Sequence, residues 1–234
     1  MSALRSRTIT SRRDPIRQRL IRIYLALARH FGPQEWWPAR SGIEVAVGAI
    51  LTQNTAWANV ERALDRLRAR GLLSAERLHQ LSESRLAMLI RPSGTYRVKA
   101  SRLKAFLRFL HGRYAGALSS MAGVPLERVR RALLSVHGIG PETADSILLY
   151  AIGRPIFVVD QYTRRVLSRH RLIAPDISYE GLQKFFTSRL PSDPALFNEY
   201  HALLVAVGKK YCRRVPRCDR CPLRFDLGGK APRL

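Results

Sequence analysis

Apolar residues recur at three- and four-residue spacing along most of the chain, and no stretch sustains the period-two alternation of a half-buried strand. The pattern predicts an all-α fold. Asp14-Pro15 reads as a cap followed by proline at the first helical position, and Ile16, Leu20, Ile23, Tyr24 and Leu27 come next at helical spacing. Ser41-x-x-Glu44 has the form of a capping box and opens a helix through Leu51. A helix over Trp57–Arg70 turns Val60, Leu64 and Leu67 inward and stops at Gly71. Shorter helices fit 74–80 and 82–90, and another carries Leu103, Phe106, Leu107 and Leu110. Pro125 opens a helix with Leu126, Val129 and Leu133, and Pro141 opens one with Ala144, Ile147, Leu148 and Ala151 on one face. Gly153-Arg154-Pro155 breaks that helix. Ile156–Val159 taken alone reads as a short strand, Asp160 caps a helix through about Arg169, and two more helices fit 178–189 and 194–208.

Charge narrows the partner. The 234 residues carry 41 Lys+Arg against 17 Asp+Glu, a net charge of +24, yet 46% of them are hydrophobic. A disordered basic tail lacks that apolar content. The chain is therefore expected to fold and to seek a polyanion, with nucleic acid ahead of an anionic membrane surface. No apolar run approaches the roughly 20 residues that span a bilayer. Residues 1–13 are basic and polar, and read as a flexible arm rather than a secretory signal. The three cysteines lie within ten residues of one another, too few and odd in number for a disulfide framework. A reducing, cytoplasmic compartment is expected, with the cysteines as ligands.

Leu134-Ser-Val-His-Gly138-Ile-Gly140-Pro-Glu-Thr-Ala144 joins two helices through a glycine-bracketed turn. Unpaired N–H groups at the start of the second helix suit a phosphate oxygen. The segment is either a hairpin gripping a DNA backbone without reading sequence or an ordinary helix–helix turn; the net charge favours the grip. Asp160 comes directly after Phe157-Val-Val and, read alone, is a helix cap. It lies 160 − 142 = 18 residues beyond Glu142, so a carboxylate at a helix start sits a short way down the chain from the hairpin.

His137–Arg165, HGIGPETADSILLYAIGRPIFVVDQYTRR, resembles the hallmark of the HhH-GPD superfamily of DNA glycosylases. A wider likeness, over about 15–226, is to endonuclease III. It includes Gly48-Ala-Ile-Leu-Thr-Gln-Asn-Thr55, Ser93-Gly-Thr-Tyr-Arg-Val-Lys-Ala100 and the cysteine cluster. The combination of Gly-Pro-Glu-Thr-Ala with Glu35-Trp-Trp-Pro38 and Gln53-Asn-Thr-Ala-Trp57 resembles the 3-methyladenine DNA glycosylase III-like branch. The resemblance implies a two-lobed fold: a helical barrel of 38–154 with the hairpin, a second helical domain of 14–37 plus 155–226, a tail of 227–234, and a site in the cleft between the lobes. It implies excision of a base flipped out of double-stranded DNA, by a monomer acting near the nucleoid. Asp160 would stabilise the oxocarbenium-like sugar or orient the attacking water. Gln53 and Tyr96 would occupy the gap left by the base, and Gly138, Gly140 and Thr143 would meet the backbone. Trp36, Trp37, Trp57 and Glu142 would line the base pocket, where a cationic alkylated base gains about 0.5–2 kcal/mol from each cation–π contact. For Gln53, Tyr96 and the tryptophans, plain packing roles are the competing readings.

Two departures from the family pattern matter. Bifunctional members carry a lysine two residues after the second glycine of the hairpin, and its amine forms a Schiff base with the sugar. Glu142 stands there, which implies a monofunctional enzyme leaving an abasic site. Cys212-x5-Cys218-x2-Cys221-Pro222 resembles the endonuclease III loop that binds a [4Fe–4S] cluster through four cysteines. Here the first spacing is one residue shorter and Leu227 takes the usual place of the fourth cysteine. The expectation is a retained cluster held by Cys212, Cys218, Cys221 and Asp226. Water or His201 as the fourth ligand, zinc, and a metal-free remnant stay open. The metal would hold Arg213, Arg214, Arg217 and Arg220 toward DNA. The functional alternatives are a uracil or thymine-mismatch glycosylase, an oxidised-pyrimidine glycosylase, and a non-catalytic protein that binds damaged or abasic DNA.

Overall fold

The computed structural model describes residues 14–37 and 39–232; the basic arm at 1–13 lies outside the described residues. The expected helices form. In α1, Pro15–Phe31, the Asp14 carboxylate accepts the Ile16 N–H at 2.9 Å, and Leu20, Ile23 and Leu27 are buried. In α2, Gly42–Leu51, Ser41 Oγ accepts from Glu44 N at 3.3 Å. The Glu44 carboxylate reaches back to Arg40 N at 3.2 Å, one residue short of the cap itself, and pairs with Arg68. That ion pair ties α2 to α3, Trp57–Arg68, with Glu44 only 2% exposed.

Further along run α4 (Ala75–Gln80), α5 (Glu83–Leu89), α6 (Tyr96–Tyr114) and α7 (Leu126–Leu134). Helix α8, Pro141–Ser146, widens into a π-helical turn over Ile147–Ala151, which periodicity did not foretell. Helices α9 (Gln161–Arg169), α10 (Tyr179–Thr187) and α11 (Pro194–Lys210) complete the chain. No strand forms among the described residues. The run Ile156–Val159 is buried as an irregular extended segment, because Phe157 packs on Phe197 and Tyr200 with ring centroids 5.4 and 6.1 Å apart, and no partner strand lies beside it.

The chain divides into two compact units. One comprises Glu35–Asp160 with Ser192–His201; the other takes the described residues up to Gln34, Gln161–Pro191, and those from Ala202 onward. The first unit is thus wider than 38–154. It takes in Trp36, Trp37, the 155–160 run and the start of α11.

Within that unit, Lys99 of α6 is 1% exposed. Its Nζ donates to the Leu51 carbonyl at 2.8 Å and to the Ser93 carbonyl at 2.6 Å. One ammonium thereby caps the end of α2 and fixes the turn before α6. Burial, and secondarily the Arg102 charge, lowers its pKa to about 8.

Candidate active site

The hairpin is built from α7 and α8. Gly138 has φ +81°, and a Cβ there would lie 2.2 Å from Cγ of Arg102, so the site demands glycine on two counts. Gly140 is extended (φ −90°, ψ 177°) and caps α8 with open space around it. Arg130 of α7 grips the fully buried Asp145 of α8 through Nε–Oδ1 at 2.8 Å and NH2–Oδ2 at 3.1 Å. This bidentate pair cross-links the two helices behind the turn.

Gln53 is anchored on the hairpin. Its Nε2 donates to the Gly138 carbonyl and to Thr143 Oγ1, each at 3.0 Å, and its Oε1 accepts from Arg102. Gln53, Gly138 and Thr143 therefore meet. Thr143 is 7% exposed, and its hydroxyl oxygen accepts from Gln53. Tyr96 does not join them: it starts α6, half-buried, with the Arg97 guanidinium 5.8 Å from its ring. Sequence reasoning missed Arg102, which carried no motif signal.

The aromatic residues assemble. Trp37 stacks on Tyr150 (5.3 Å, 22°) and meets Trp57 edge-on (5.2 Å, 71°); Trp36 meets Trp37 at 6.4 Å and His201 at 5.7 Å. Trp37 lies so close to α2 that a Cβ on Gly48 would come within 3.1 Å of its indole. Trp37 adopts φ +67°, rare for a bulky residue, and its buried indole N–H has no hydrogen-bond partner among the described residues.

Asp160, at the end of the buried apolar run, keeps 12% side-chain exposure, and its Oδ2 lies 3.7 Å from Nε2 of His201. His201 Nδ1 is 2.7 Å from the Tyr150 hydroxyl. The sequence had offered His201 only as a metal ligand and had not singled out Tyr150. A hydroxyl in an otherwise apolar run was the one available signal. Glu142 stays open to solvent, and its pKa is raised by desolvation among surrounding protein atoms first and by the Asp160 charge second, with His201 opposing. This unit contains two lysines, Lys99 and Lys104. Lys104 Nζ donates to the carbonyls of His79 and Leu81, just as Lys99 donates to two of its own.

The cysteine loop belongs to the other unit. Cys212, Cys218 and Cys221 line one small cavity with Arg169 and His170. Burial raises the Cys218 thiol and pushes the Cys221 thiol up to about 11. Arg165 Nε donates to the Cys212 carbonyl at 2.7 Å, and Arg169 donates to the carbonyls of Arg213 and Arg214. Asp226 does not turn to the thiols as the expected ligand set required. Its carboxylate takes two hydrogen bonds from Arg19, each 2.7 Å, and lies 2.8 Å from Nδ1 of His170. Burial alone would raise that carboxyl, but the His170 and Arg19 hydrogen bonds outweigh it and hold it at about 2. No group of three His, Cys, Asp or Glu among the described residues is arranged to hold a metal ion. The three thiols line one cavity without forming a metal-holding group among the described residues, and a [4Fe–4S] cluster would need a fourth ligand besides them.

A glycine-bracketed hairpin, an acid beside an aromatic wall and a strongly basic chain define a DNA-processing protein of base-excision type. The model of the HhH-GPD superfamily base excision DNA repair proteins matches residues 47–192, and the chain belongs to that family. It is 45% identical over 207 residues to "Putative DNA repair glycosylase" of Methanocaldococcus jannaschii, covering 88% of this chain and 94% of that one. Among solved structures it resembles H. pylori 3-methyladenine DNA glycosylase (MagIII) bound to 1,N6-ethenoadenine. The TM-score is 0.71 and the identity 26%, over 83% of this chain and 97% of that chain. Its fold also matches a trapped endonuclease III–DNA covalent intermediate, with a TM-score of 0.76 at 24% identity, over 89% of this chain and 94% of that one. The chain is a DNA N-glycosylase of the endonuclease III branch.

Proposed function

We propose that the enzyme is monofunctional and hydrolyses the N-glycosidic bond of an everted damaged base, alkylated purines being the favoured class. The observation that carries this reading is the chemistry around Asp160. Carboxylates stand at both Glu142 and Asp160, aromatic rings are gathered nearby, and the unit's two lysines are both occupied by backbone carbonyls. An imine needs a free amine at C1′, and this unit offers none. The C1′–N bond breaks with its electron pair leaving on the base. A purine alkylated at N3 or N7 is already cationic, departs neutral and needs little acid catalysis. The Asp160 carboxylate stabilises the oxocarbenium ion, and a water adds to C1′ and gives its proton to solvent, leaving an abasic site. The aromatic wall stacks the cationic base.

Gly138 and Gly140 hold the strand's phosphates, with Gln53 and Tyr96 beside the vacated position. The cysteine loop is read as structural: its three thiols, with a further non-cysteine ligand, would hold a [4Fe–4S] cluster, and the exposed Arg213, Arg214, Arg217 and Arg220 face DNA. The protein is read as a monomer acting in the cytoplasm on chromosomal DNA.

Duplexes carrying 7-methylguanine, 1,N6-ethenoadenine, uracil or thymine opposite guanine, treated with alkali after incubation, test the reading. Wild type should release an alkylated purine and should give no borohydride-trapped covalent adduct. Asp160→Asn should lose roughly 10²–10⁴-fold in single-turnover rate while still binding abasic DNA. A wild type that binds abasic DNA and excises nothing, with Asp160→Asn unchanged, would mean a non-catalytic binder.

A further inference from the structure

We propose that His201 is the positioning residue for Asp160, and that Tyr150 sets the tautomer in which it does so; the proposal rests on the glycosylase reading and deepens it. The three side chains come from the end of an irregular segment, from α11 and from the π turn of α8. The Tyr150 hydroxyl lies 2.7 Å from His201 Nδ1, and His201 Nε2 lies 3.7 Å from Asp160 Oδ2. Nε2 is buried and makes no hydrogen bond to the described residues.

A neutral imidazole has one donor and one acceptor nitrogen. If Nδ1 carried the proton, the bare Nε2 lone pair would face a carboxylate, and the two would repel. If the tyrosine hydroxyl donates to Nδ1, the proton sits on Nε2 and points toward Asp160. The second arrangement is the favoured one. Tyr150 keeps the proton it must donate, because burial, and then the Asp160 charge, holds its pKa well above the ordinary 10.

Packing fixes both rings. His201 lies against the edge of Trp36 (5.7 Å), and Tyr150 stacks on Trp37 (5.3 Å). At 3.7 Å the Nε2–H attracts Asp160 electrostatically without bonding it. Catalytic hydrogen bonds are commonly long in the free enzyme and tighten in the complex. The residues gathered around the base thus hold the acid that acts on the sugar.

The test compares Tyr150→Phe, His201→Phe, His201→Gln and the Tyr150→Phe/His201→Gln double variant. Single-turnover excision is measured on the alkylated-purine duplex that wild type cleaves best, and affinity on abasic duplex. Tyr150→Phe keeps the ring on Trp37 and removes only the hydroxyl. Tyr150→Phe and His201→Phe should each lose about tenfold or more in rate, with abasic-DNA affinity within about twofold of wild type. His201→Gln places an amide N–H near the Nε2 position and should recover most of the rate. A glutamine donor needs no tautomer, so adding Tyr150→Phe to His201→Gln should cost less than about twofold. A merely structural pair would not show that asymmetry. Wild-type rates in both Tyr150→Phe and His201→Phe would overturn the proposal, as would an undiminished Tyr150→Phe penalty in the His201→Gln background. Should His201→Phe fail to fold, Tyr150→Phe and the glutamine pair still decide. Absence of excision by wild type on every duplex sinks the glycosylase reading instead, a result distinct from these.

Discussion

Glu142 shows how a single residue reports on its neighbours. Its folded pKa is raised, by desolvation first and by the Asp160 charge second, so its ionised form is disfavoured. The corresponding stability is fully present below the ordinary value of 4.5 and is lost as pH rises through the folded value. Glu142→Gln removes a charge that the fold resists. The variant should therefore melt above wild type near neutral pH, and the gap should close as pH falls through the ordinary glutamate range. A lower melting temperature for the variant near neutral pH would contradict a disfavoured charge at Glu142. The type of residue at 142 was legible in the chain, since a carboxylate occupies the position of the family's lysine. Its electrostatic coupling to Asp160 was not, because 18 residues of intervening chain say nothing about where two side chains finish.

At the scale of elements, the α7–α8 hairpin depends on its ion pair. Asp145 is fully buried and Arg130 nearly so. Removing one partner of such a pair strands the other, at about 3–5 kcal/mol. Asp145→Asn should lower the melting temperature by on the order of 10 °C for a chain of this size. An Arg130→Met/Asp145→Leu double variant should recover part of that loss, because no unpaired charge remains. Thermal melts with a urea titration measure both. Helix starts were legible here because capping residues and proline act locally: Asp14, Ser41 and Pro141 each open a helix where expected. The π turn was not. One extra residue in a turn rotates the downstream helix by roughly 100° about the axis without altering which residues are apolar.

Across the whole molecule the net charge of +24 governs association. A protein neutralising six or more phosphates should lose about 10³-fold or more in affinity between roughly 50 and 200 mM salt. Abasic-duplex binding should show that slope. The single-turnover rate at saturating enzyme should change by less than about threefold, because buried charges are screened far less than exposed ones. A rate that fell in parallel with affinity would place the working charges on the surface instead.

The sequence by itself determined the helical architecture, the polyanionic partner, the glycine turn and the acid at 160. Each of these is written in short-range order: periodicity, caps, a positive-φ glycine, or plain charge count. Only the tertiary structure decided who stands beside that acid. Trp36, Tyr150 and His201 come from distant parts of the chain and share no spacing, and Asp226 was taken by Arg19 and His170 rather than by the thiols. Buried polar groups pair with whichever partner the packing of helices brings within reach.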